Sequence, residues 1–482
     1  MRALLDTEKN CLVWIRQDFR LYDNPVLVAA MATGKPVIML FILEEYQDNP
    51  WPLGAASKWW LAQSLMSLQR DLTKEYGLKI ILRRGQAWPI IKDICLRHNV
   101  RHVYWGRRYE PFLMKQDQNI KKYLKEMDVD VQSYNTALLH EPWEIQNNQG
   151  QYFKIFTPYW KKIAAYPVGK ILQKPPSLKI FDGHIESDEV KSFGLQPRWS
   201  DILNDHWTFG EQMVQDLLLN FYQTFLQDYE NARNFPDVAG TSRLSPYLHW
   251  GQISVRQLWH DLEGIMMDQP ELSSSANSFR RELAWREFNH HLLYHFPDLP
   301  EQPWRSEFAN ISWSSDINLL QRWQKGRTGY PIIDAGLREL WHTGWMHNRV
   351  RMIVASFLVK NLRLSWIEGQ RWFWDTLVDA DLAQNAGNWQ WVAGCGADAA
   401  PYFRIFNPTI QAKKFDPYGN YIRRWLPELA GLPTPYIFEP HLAKSLDLES
   451  AGVVLGQNYP YPVVDWIDSR QAALQAYKSI KN

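Results

Sequence analysis

A 13-residue segment in the C-terminal half of the chain concentrates side chains that can do chemistry. It contains two carboxylates, Asp379 and Asp381, a carboxamide at Asn385, and two indoles, Trp389 and Trp391. Carboxylates can accept hydrogen bonds from sugar hydroxyls or hold an arginine, a carboxamide can hydrogen-bond a heteroaromatic ring, and indoles can stack or carry an electron. In a helix the two tryptophans point to nearly opposite sides, so one can face inward and the other a ligand. By itself, such a segment is more typical of a buried aromatic core.

Residues 241–245 supply three hydroxyl groups and one guanidinium group just before an apolar helical segment. Hydroxyls and free backbone N–H groups at the start of a helix suit a phosphate, and Arg243 adds positive charge. A plain helix cap is the ordinary explanation of such a pattern. The segment is therefore a candidate phosphate site whose assignment depends on the rest of the chain.

A second candidate group lies at residues 279–286. Glu282 and Trp285 are three residues apart, so they share one face of a helix, and Arg286 follows Glu282 by four. A carboxylate beside an indole can hold and stack a nucleobase. An ion pair between Glu282 and Arg286 at the surface explains the same spacing equally well.

A third group follows at residues 347–352. Asn348 and Met352 are four residues apart and can line one pocket. Arg351 points to another side of the helix, where we expect it to pair with Asp379. The alternative is a core helix whose arginines are solvated.

Basic side chains recur among aromatic ones late in the chain. They are Arg404, Lys413, Lys414, Arg423 and Arg424, with Arg322, Lys325 and Arg327 earlier. This composition suits a surface that binds a phosphate backbone, although most such runs are solvated faces. Because the formal net charge is only +1, any polyanion must be bound by a local patch.

The overall composition describes a globular protein of two or more domains. Of the 482 residues, 45% are hydrophobic, 22% are charged and 25 are tryptophan, which favours a large helical core or a protein that binds planar ligands or moves electrons. Cys11, Cys95 and Cys395 are too few and too scattered for a disulfide framework, a zinc site or a four-cysteine cluster, so no metal site is expected. With no apolar signal core and no long apolar run, we expect a cytoplasmic protein that does not span a membrane.

Short apolar segments alternate with helical segments in the first part of the chain. Strands are predicted at residues 11–16, 36–43, 78–82 and 102–105, and helices at 57–77, 90–97 and 114–127. This alternation predicts a parallel sheet with helices on both faces, a Rossmann-like α/β domain over residues 1–132. The first strand–helix turn contains no glycine, so this is not an ordinary dinucleotide domain.

The remaining chain divides into two parts. Residues 133–205 are rich in proline and predict a long irregular connector packed over the surface. Residues 206–482 predict an all-α domain, because long helical segments are broken by glycine and proline without strand alternation. Helices are predicted at residues 209–227, 255–267, 278–295, 318–325, 332–342, 347–359 and 369–377.

Several motifs resemble those of the photolyase/cryptochrome family. They are TGYPIIDA at 328–335, GWMHNRVRM at 344–352, NWQW at 388–391 and DAAPYFRIFNP at 398–408. The resemblance covers nearly the whole chain, including WIRQDFRL at 14–21. Within the family, the chain more narrowly resembles photolyases that repair cyclobutane pyrimidine dimers. It implies an N-terminal α/β antenna domain, joined by the long connector to an all-α C-terminal domain that holds FAD.

The resemblance assigns roles to individual residues of the FAD site. Asn385 would lie beside flavin N5, where a neutral amide can stabilise a reduced, anionic flavin that a carboxylate would repel. Plant cryptochromes often carry aspartate at this position, so Asn385 favours repair over signalling. The implied FAD ligands are Tyr229, Thr241, Ser242, Arg243, Leu244, Ser245, Arg286, Arg351, Asp379, Asp381 and Asn385.

The resemblance also implies a lesion site for UV-damaged DNA. Glu282, Met352 and Asn385 would take part in repair of a flipped-out pyrimidine dimer. Photolyases of the (6-4) class carry a histidine pair where this chain has Asn348 and Met352, so the proton donor that their chemistry needs is missing. The implied lesion contacts are Glu282, Trp285, Asn348, Arg349, Met352, Trp391 and Arg404, and the implied electron chain is Trp389, Trp366 and Trp313.

Two questions stay open at this level. The motif GRRYEP at 106–111 resembles antenna domains that bind 5,10-methenyltetrahydrofolate, and Glu110 can accept from a pterin amine, but 8-hydroxy-5-deazaflavin or an empty antenna site remains an alternative. The competing function is a cryptochrome-type blue-light photoreceptor, for which a long C-terminal extension would be the discriminating feature. We expect a monomer that binds DNA containing pyrimidine dimers.

Overall fold

A computed structural model describes residues 9–195 and 198–480 of the chain. The first eight residues of the predicted α/β domain, residues 196 and 197 of the connector, and the last two residues of the chain lie outside the described residues. The described residues therefore include almost all of both predicted domains.

The N-terminal part forms a five-stranded parallel sheet in the order β3-β2-β1-β4-β5. Every residue of the central strand β1 is buried, as expected for a sheet covered on both faces. Strand β5 was not predicted, because its alternating polar residues at the sheet edge lack an apolar run. The strands are β1 (Asn10–Ile15), β2 (Val37–Glu44), β3 (Ile80–Gly85), β4 (Val100–Gly106) and β5 (Asp130–Tyr134).

Four helices connect these strands: α1 (Pro25–Ala32), α2 (Ala55–Tyr76), α3 (Ala87–Arg97) and α4 (Pro111–Glu126). Helices α1 and α2 pack on one face of the sheet, and α3 and α4 pack on the other. Helix α1 was missed from the sequence, although its start is well marked. The Asn24 side chain accepts hydrogen bonds from Val26 N and Leu27 N, and Pro25 occupies the first turn.

The connector between the two domains is not irregular throughout. It contains α5 (Phe156–Ala164), whose buried residues Phe156, Tyr159 and Ile163 belong to the largest hydrophobic core. The prediction of a purely irregular surface segment is wrong here, because Pro158 lies in the first turn of a helix. Proline is tolerated in the first helical turn, and the 3–4 spacing of the apolar residues is that of a helix.

The C-terminal part is helical, and its described residues contain only isolated β-bridges. The predicted helix at 209–227 is interrupted by a π-helical turn at Phe221–Phe225, and another π-helical turn lies at Phe357–Asn361. The helices are α6 (Glu211–Asn220), α7 (Tyr229–Ala232), α8 (Ser245–His249), α9 (Val255–Asp268), α10 (Ser273–His295), α11 (Ile317–Gln324), α12 (Pro331–Thr343), α13 (Asn348–Ser356), α14 (Trp366–Thr376), α15 (Leu382–Ala393), α16 (Pro408–Phe415), α17 (Asn420–Trp425), α18 (Thr434–Ile437), α19 (Ser445–Ser450) and α20 (Trp466–Ser479). Short 3₁₀ segments are Val190–Phe193, Arg198–His206, Leu226–Asp228, Pro270–Leu272, Ser306–Asn310, Pro427–Leu429 and Pro440–Leu442.

A buried polar network joins the α/β domain to the helical domain. The Arg20 guanidinium donates to the carbonyl oxygens of Gly251, Asp23 and Thr136, each at 2.9 Å. Arg256 of α9 forms an ion pair with Asp23 at 2.9 Å. Because buried charges are costly unless paired, these contacts fix how the two domains meet.

The close approach at this interface predicts a stability effect. Gly251 has a φ of +66°, and an added Cβ would lie 2.1 Å from the Gln17 carbonyl oxygen. We expect Gly251→Ala to lower the free energy of unfolding by more than about 2 kcal/mol, through left-handed strain and the clash. The matched control is Gly264→Ala in α9, where the added Cβ has no neighbour within 4 Å and stability should rise by roughly 0.5–1 kcal/mol. Equal urea unfolding midpoints for Gly251→Ala and the natural protein would contradict this account.

Candidate functional site

Three distant segments of the helical domain meet at the Asp379 carboxylate. Its Oδ2 accepts hydrogen bonds from Ser245 Oγ at 2.6 Å and from Arg351 Nη2 at 2.9 Å. The predicted pairing of Arg351 with Asp379 is therefore confirmed. Arg351 Nε also donates to the Met346 carbonyl oxygen at 2.7 Å, which holds the guanidinium in place.

The second oxygen of this carboxylate is available to a ligand. Asp379 Oδ1 is buried and has no hydrogen-bond partner among the described residues. A buried carboxylate oxygen in that state is costly unless a donor approaches it. The surroundings of Asp379 thus fit a ligand that presents hydroxyl or N–H groups, as the sugar, ribityl and ring groups of a flavin nucleotide do.

The segment at 241–245 adjoins this carboxylate through Ser245. The Arg243 guanidinium lies 4.5 Å from the Trp207 ring and 5.0 Å from the Trp345 ring, and Arg243 has a φ of +52°. Leu244 is buried, and its N–H donates to Ser242 Oγ at 3.4 Å. Thr241 is partly exposed, so its hydroxyl, like the Arg243 cation, is accessible for an anionic group.

Tyr229 occupies the short helix α7 and is buried between Phe221 and Phe279. The Arg233 guanidinium lies 5.4 Å from the Tyr229 ring, one helical turn further on. Burial raises the pKa of Tyr229 well above its ordinary value, with Glu282 contributing, so the phenol is neutral. Tyr229 therefore lies beside Arg233 and close to Glu282.

Asn385 is buried in α15 with a defined amide orientation. Its Nδ2 donates to the Gln370 carbonyl oxygen at 2.9 Å. With the nitrogen engaged in this way, the carboxamide oxygen is the atom that can accept from a protonated ring nitrogen. Helix α15 begins beside this group because Asp381 caps it, accepting from Gln384 N at 3.0 Å.

The Asp381 carboxylate has different neighbours from Asp379. Its Oδ2 lies 3.4 Å from His249 Nδ1 and 3.4 Å from His290 Nε2. Burial opposes ionisation, but the charge and hydrogen bonds of His290 and His249 hold the pKa of Asp381 well below its usual value. Sequence reasoning missed both histidines, which come from α8 and α10 and meet only in the folded chain.

Arg286 of α10 accepts, through its carbonyl oxygen, from Gln384 Nε2 at 2.9 Å, next to the Asp381 cap of α15. Its Nη1 donates to the Ala137 carbonyl oxygen at 2.8 Å and pairs with Glu287 at 3.2 Å. The alternative surface pair of Arg286 with Glu282 is therefore wrong. These contacts connect α10 to the connector instead.

Glu282 pairs with a residue that sequence reasoning missed. Arg233 Nη1 lies 2.7 Å from Glu282 Oε1. Burial, with the neighbouring Arg233, lowers the pKa of Arg349, and the Glu282 charge opposes that shift. Arg349 also contacts Met352 Sδ at 4.0 Å and hydrogen-bonds Asn234. Arg233 follows the predicted ligand Tyr229 by four residues, a spacing that could have indicated it from the sequence.

The other predicted lesion contacts lie on or near the surface. Asn348 is exposed at the first turn of α13, and Trp391 is partly exposed on α15. Trp285 is stacked on Phe156 with ring centroids 3.7 Å apart. Arg404 is exposed, and its carbonyl oxygen accepts from the buried Lys360 Nζ at 3.0 Å.

Of the three predicted electron-chain tryptophans, Trp366 begins α14, Trp389 lies on α15, and Trp313 lies in the segment before α11. Trp389 and Trp366 are buried, whereas Trp313 is partly exposed. Ser314 N donates to the Arg363 carbonyl oxygen at 2.7 Å, which brings the Trp313 segment beside the start of α14. An added Cβ at Gly369 would lie 2.1 Å from Trp389, so α14 needs glycine where the indole packs.

An open cleft of about 1080 Å³ lies between the two domains. Glu110 lies in it and pairs with Arg108, with Arg108 Nε 3.0 Å from Glu110 Oε2. Burial favours the neutral acid, but Arg108 outweighs it and lowers the pKa of Glu110. Trp51 and Trp374 line the same cleft from opposite domains.

Comparison with known proteins places this site in a family. Residues 11–177 match the family model of DNA photolyase, and residues 279–479 match the FAD binding domain of DNA photolyase. The chain is 43% identical over 474 residues to the deoxyribodipyrimidine photo-lyase of Agrobacterium fabrum, covering 98% of each. It is 37% identical over 484 residues to cryptochrome-2 of Arabidopsis thaliana, covering 97% of this chain and 79% of that protein.

The chain therefore belongs to the photolyase/cryptochrome family. Its fold is similar to the crystal structure of a bacterial class III photolyase from Agrobacterium tumefaciens, with a TM-score of 0.94, 42% identity, and coverage of 100% of this chain and 99% of that one. The predicted fold class is confirmed, a parallel α/β domain followed by an all-helical FAD-binding domain. No helix among the described residues has the length and apolar character to cross a membrane.

The pH dependence of stability tests the burial of Lys360, whose Nζ donates to the Arg404 carbonyl oxygen. Burial, aided by the nearby Arg404 charge, lowers the pKa of Lys360 from 10.5 to about 8. Between these values the unfolded chain binds more protons than the folded one, so stability rises with pH across that range, whereas below it the cost of burying the charged Lys360 is constant. Relative to Lys360→Met, the free energy of unfolding of the natural protein should rise by on the order of 3 kcal/mol from pH 8 to 10.5. Urea titrations at several pH values measure this difference, and a constant difference would contradict it.

Proposed function

We propose that this chain repairs cyclobutane pyrimidine dimers in DNA by light-driven electron transfer. The observation that carries the proposal is the juxtaposition of two groups around α15, against which both α10 and α13 pack. One is the flavin-type site of Asp379 and Asn385, and the other is the outward-facing group of Glu282, Asn348 and Met352. Similarity to a deoxyribodipyrimidine photo-lyase over 98% of the chain supports the same activity.

FAD fits the residues present in the helical domain. The free Asp379 oxygen would accept from the cofactor, the hydroxyls and guanidinium at 241–245 would bind its phosphates and sugars, and the Asn385 oxygen would face its reduced ring. Tyr229 and Arg351 would complete this site, with Asp381 as a further ligand. When bound and reduced, FAD supplies after light absorption the electron that opens the cyclobutane ring and then takes it back, so there is no net redox change.

The protein's own side chains would hold the flipped-out dimer. Extrusion of a dimer costs less than extrusion of a normal base, because the lesion already stacks poorly. Trp285 and Trp391 would contact its apolar faces, and the Glu282 carboxylate would accept from a pyrimidine N–H. Arg349, Asn348 and Arg404 would bind the flanking polar and phosphate groups.

The proposed contacts Glu282, Asn348 and Met352, called here the lesion group, include no proton donor. This favours dimer repair over (6-4) repair. The imidazole nearest the lesion group is His347, which precedes Asn348 and is buried. Burial, with Arg349 and Arg351 adding to it, lowers the pKa of His347 to about 3. His347 is therefore neutral at physiological pH and is a poor general acid, whereas electron transfer to a cyclobutane dimer needs no such acid.

Trp389, Trp366 and Trp313 would carry electrons from the surface to the cofactor. The graded exposure supports this role, because Trp313 is the partly exposed member and the other two are buried. Photoreduction through this chain would keep the cofactor in its active, reduced form.

The antenna chromophore would occupy the interdomain cleft. In a doubly wound sheet the ordinary ligand site is the crevice between the strands where the order reverses, here β1 and β4. Arg16, the residue after β1, lines the cleft together with Glu110 and pairs with Glu44 at 3.0 Å and Asp117 at 2.9 Å. The cleft with Glu110 therefore suits 5,10-methenyltetrahydrofolate, with 8-hydroxy-5-deazaflavin as the alternative.

A cryptochrome-type photoreceptor is the second candidate function. The observation that favours it is the 37% identity to cryptochrome-2 over 97% of this chain. Both candidates need FAD and light, so FAD binding alone does not separate them. The two functions differ in their use of the lesion group, because only repair requires those residues.

The decisive test is repair by the reduced protein. We expect illumination of chemically reduced, FAD-loaded protein with blue or near-ultraviolet light to restore paired thymines in an oligonucleotide that contains one cyclobutane dimer. A dark sample and an undamaged oligonucleotide are the controls. Tight FAD binding without light-dependent restoration would contradict repair and favour the photoreceptor.

Glu282→Ala tests the lesion contact. We expect dimer binding to weaken by roughly 10-fold or more, because a hydrogen bond to a charged group is lost and Arg233 is left unpaired. FAD content, measured by absorbance, should stay the same. The control is Glu449→Ala, an exposed glutamate on α19. Parallel loss of repair and FAD would contradict the assignment of Glu282.

A further inference from the structure

Two parts of the proposed lesion site come from segments that are far apart in the sequence. Trp285 lies on α10, and Arg404 lies in the loop at 398–407 between α15 and α16. Both parts contact one residue of the interdomain connector. That residue is Phe156, the first residue of α5, which is 2% exposed.

Phe156 fixes the plane of the Trp285 indole. The two rings are nearly parallel, with an interplanar angle of 6° and centroids 3.7 Å apart. Phe288 contacts Trp285 edge-on at 5.8 Å and Phe156 at 5.9 Å, which locks the pair from the side. Because one face of the indole is covered by Phe156, only the opposite face of Trp285 can meet a ligand.

The backbone of the same residue holds the start of the Arg404 loop. Phe156 N donates to Asp398 Oδ2 at 3.0 Å. This N–H belongs to the first turn of α5, where no intrahelical acceptor exists, and an acidic partner is favoured at that end of a helix. Asp398 has a φ of +50°, a conformation that aspartate, asparagine and glycine tolerate better than other residues do.

The loop has two further attachments. Ala400 N donates to the Trp391 carbonyl oxygen at 3.2 Å, and Lys360 Nζ donates to the Arg404 carbonyl oxygen at 3.0 Å. These contacts belong to the helical domain itself. Phe156 is thus the point at which the connector restrains the loop, and it restrains Trp285 at the same point.

We infer that Phe156 is a positioning residue for lesion recognition, which aligns the Trp285 ring and the Arg404 loop with each other. This inference rests on the proposed repair function. It assigns to the connector a part in DNA binding, because a shift of α5 moves both contacts together. Phe156 itself has no accessible surface for DNA, so it acts through Trp285 and Asp398.

The first test removes the aromatic plane and keeps the backbone donor. Phe156→Leu should weaken binding of dimer-containing DNA roughly fivefold, the range expected for loss of one aromatic pair. FAD content and repair per bound complex should be unchanged. In the background of Trp285→Leu, Phe156→Leu should add little, because the residue through which it acts is already gone. Additive losses, or equal loss of FAD and repair, would overturn the inference.

The second test addresses the loop without altering the core. Asp398→Gly removes the acceptor of Phe156 N but tolerates the positive φ, so it should weaken dimer binding and speed hydrogen exchange at Ala400 N. Asp398→Asn retains an oxygen acceptor and should restore both properties. Equal behaviour of the glycine and asparagine variants would overturn the role of this contact, even if Phe156→Leu fails to fold.

The same measurements separate this inference from the proposed function. Natural protein that binds dimer-containing and undamaged DNA equally would overturn the repair function, and the role of Phe156 with it. Natural protein that prefers the dimer, with Phe156→Leu and Asp398→Gly showing the same preference and affinity, would overturn only the role of Phe156.

Discussion

The site in the helical domain depends on one buried carboxylate, that of Asp379. A carboxylate removed from water is costly unless it is paired, and Asp379 is paired by Arg351 and by Ser245, which lies 134 residues earlier in the chain. These contacts fix α8, α13 and the segment before α15 relative to one another. They use a single oxygen, so the other can bind a ligand in a pocket that is already organised.

Charges elsewhere in the site are arranged in compensated groups. Glu282 is paired with Arg233, and Asp381 is held between two histidines. The imidazole nearest the lesion group, His347, is kept neutral by burial. A site with paired charges and no available acid suits the movement of an electron better than the movement of a proton, which is consistent with the proposed repair of cyclobutane dimers.

The connector is a structural part of this arrangement. Arg286 donates to the Ala137 carbonyl oxygen, and Leu139 N donates to Glu287 at 2.9 Å, so the middle of α10 is held from the connector side. Phe156 adds a stacked ring on the same helix. Residues that lie outside the helical domain in the sequence therefore support α10, which carries the proposed lesion contacts Glu282 and Trp285.

The sequence by itself determined the fold class, because buried parallel strands and amphipathic helices leave apolar periods that are local in the chain. It also predicted the pairing of Arg351 with Asp379, because Arg351 points away from the face of its helix that carries Asn348 and Met352. Only the tertiary structure decided that Glu282 pairs with Arg233 rather than Arg286, and that α5 packs under Trp285. The physical reason is that the choice among possible partners depends on where helices cross, which the spacing of residues along one helix does not encode.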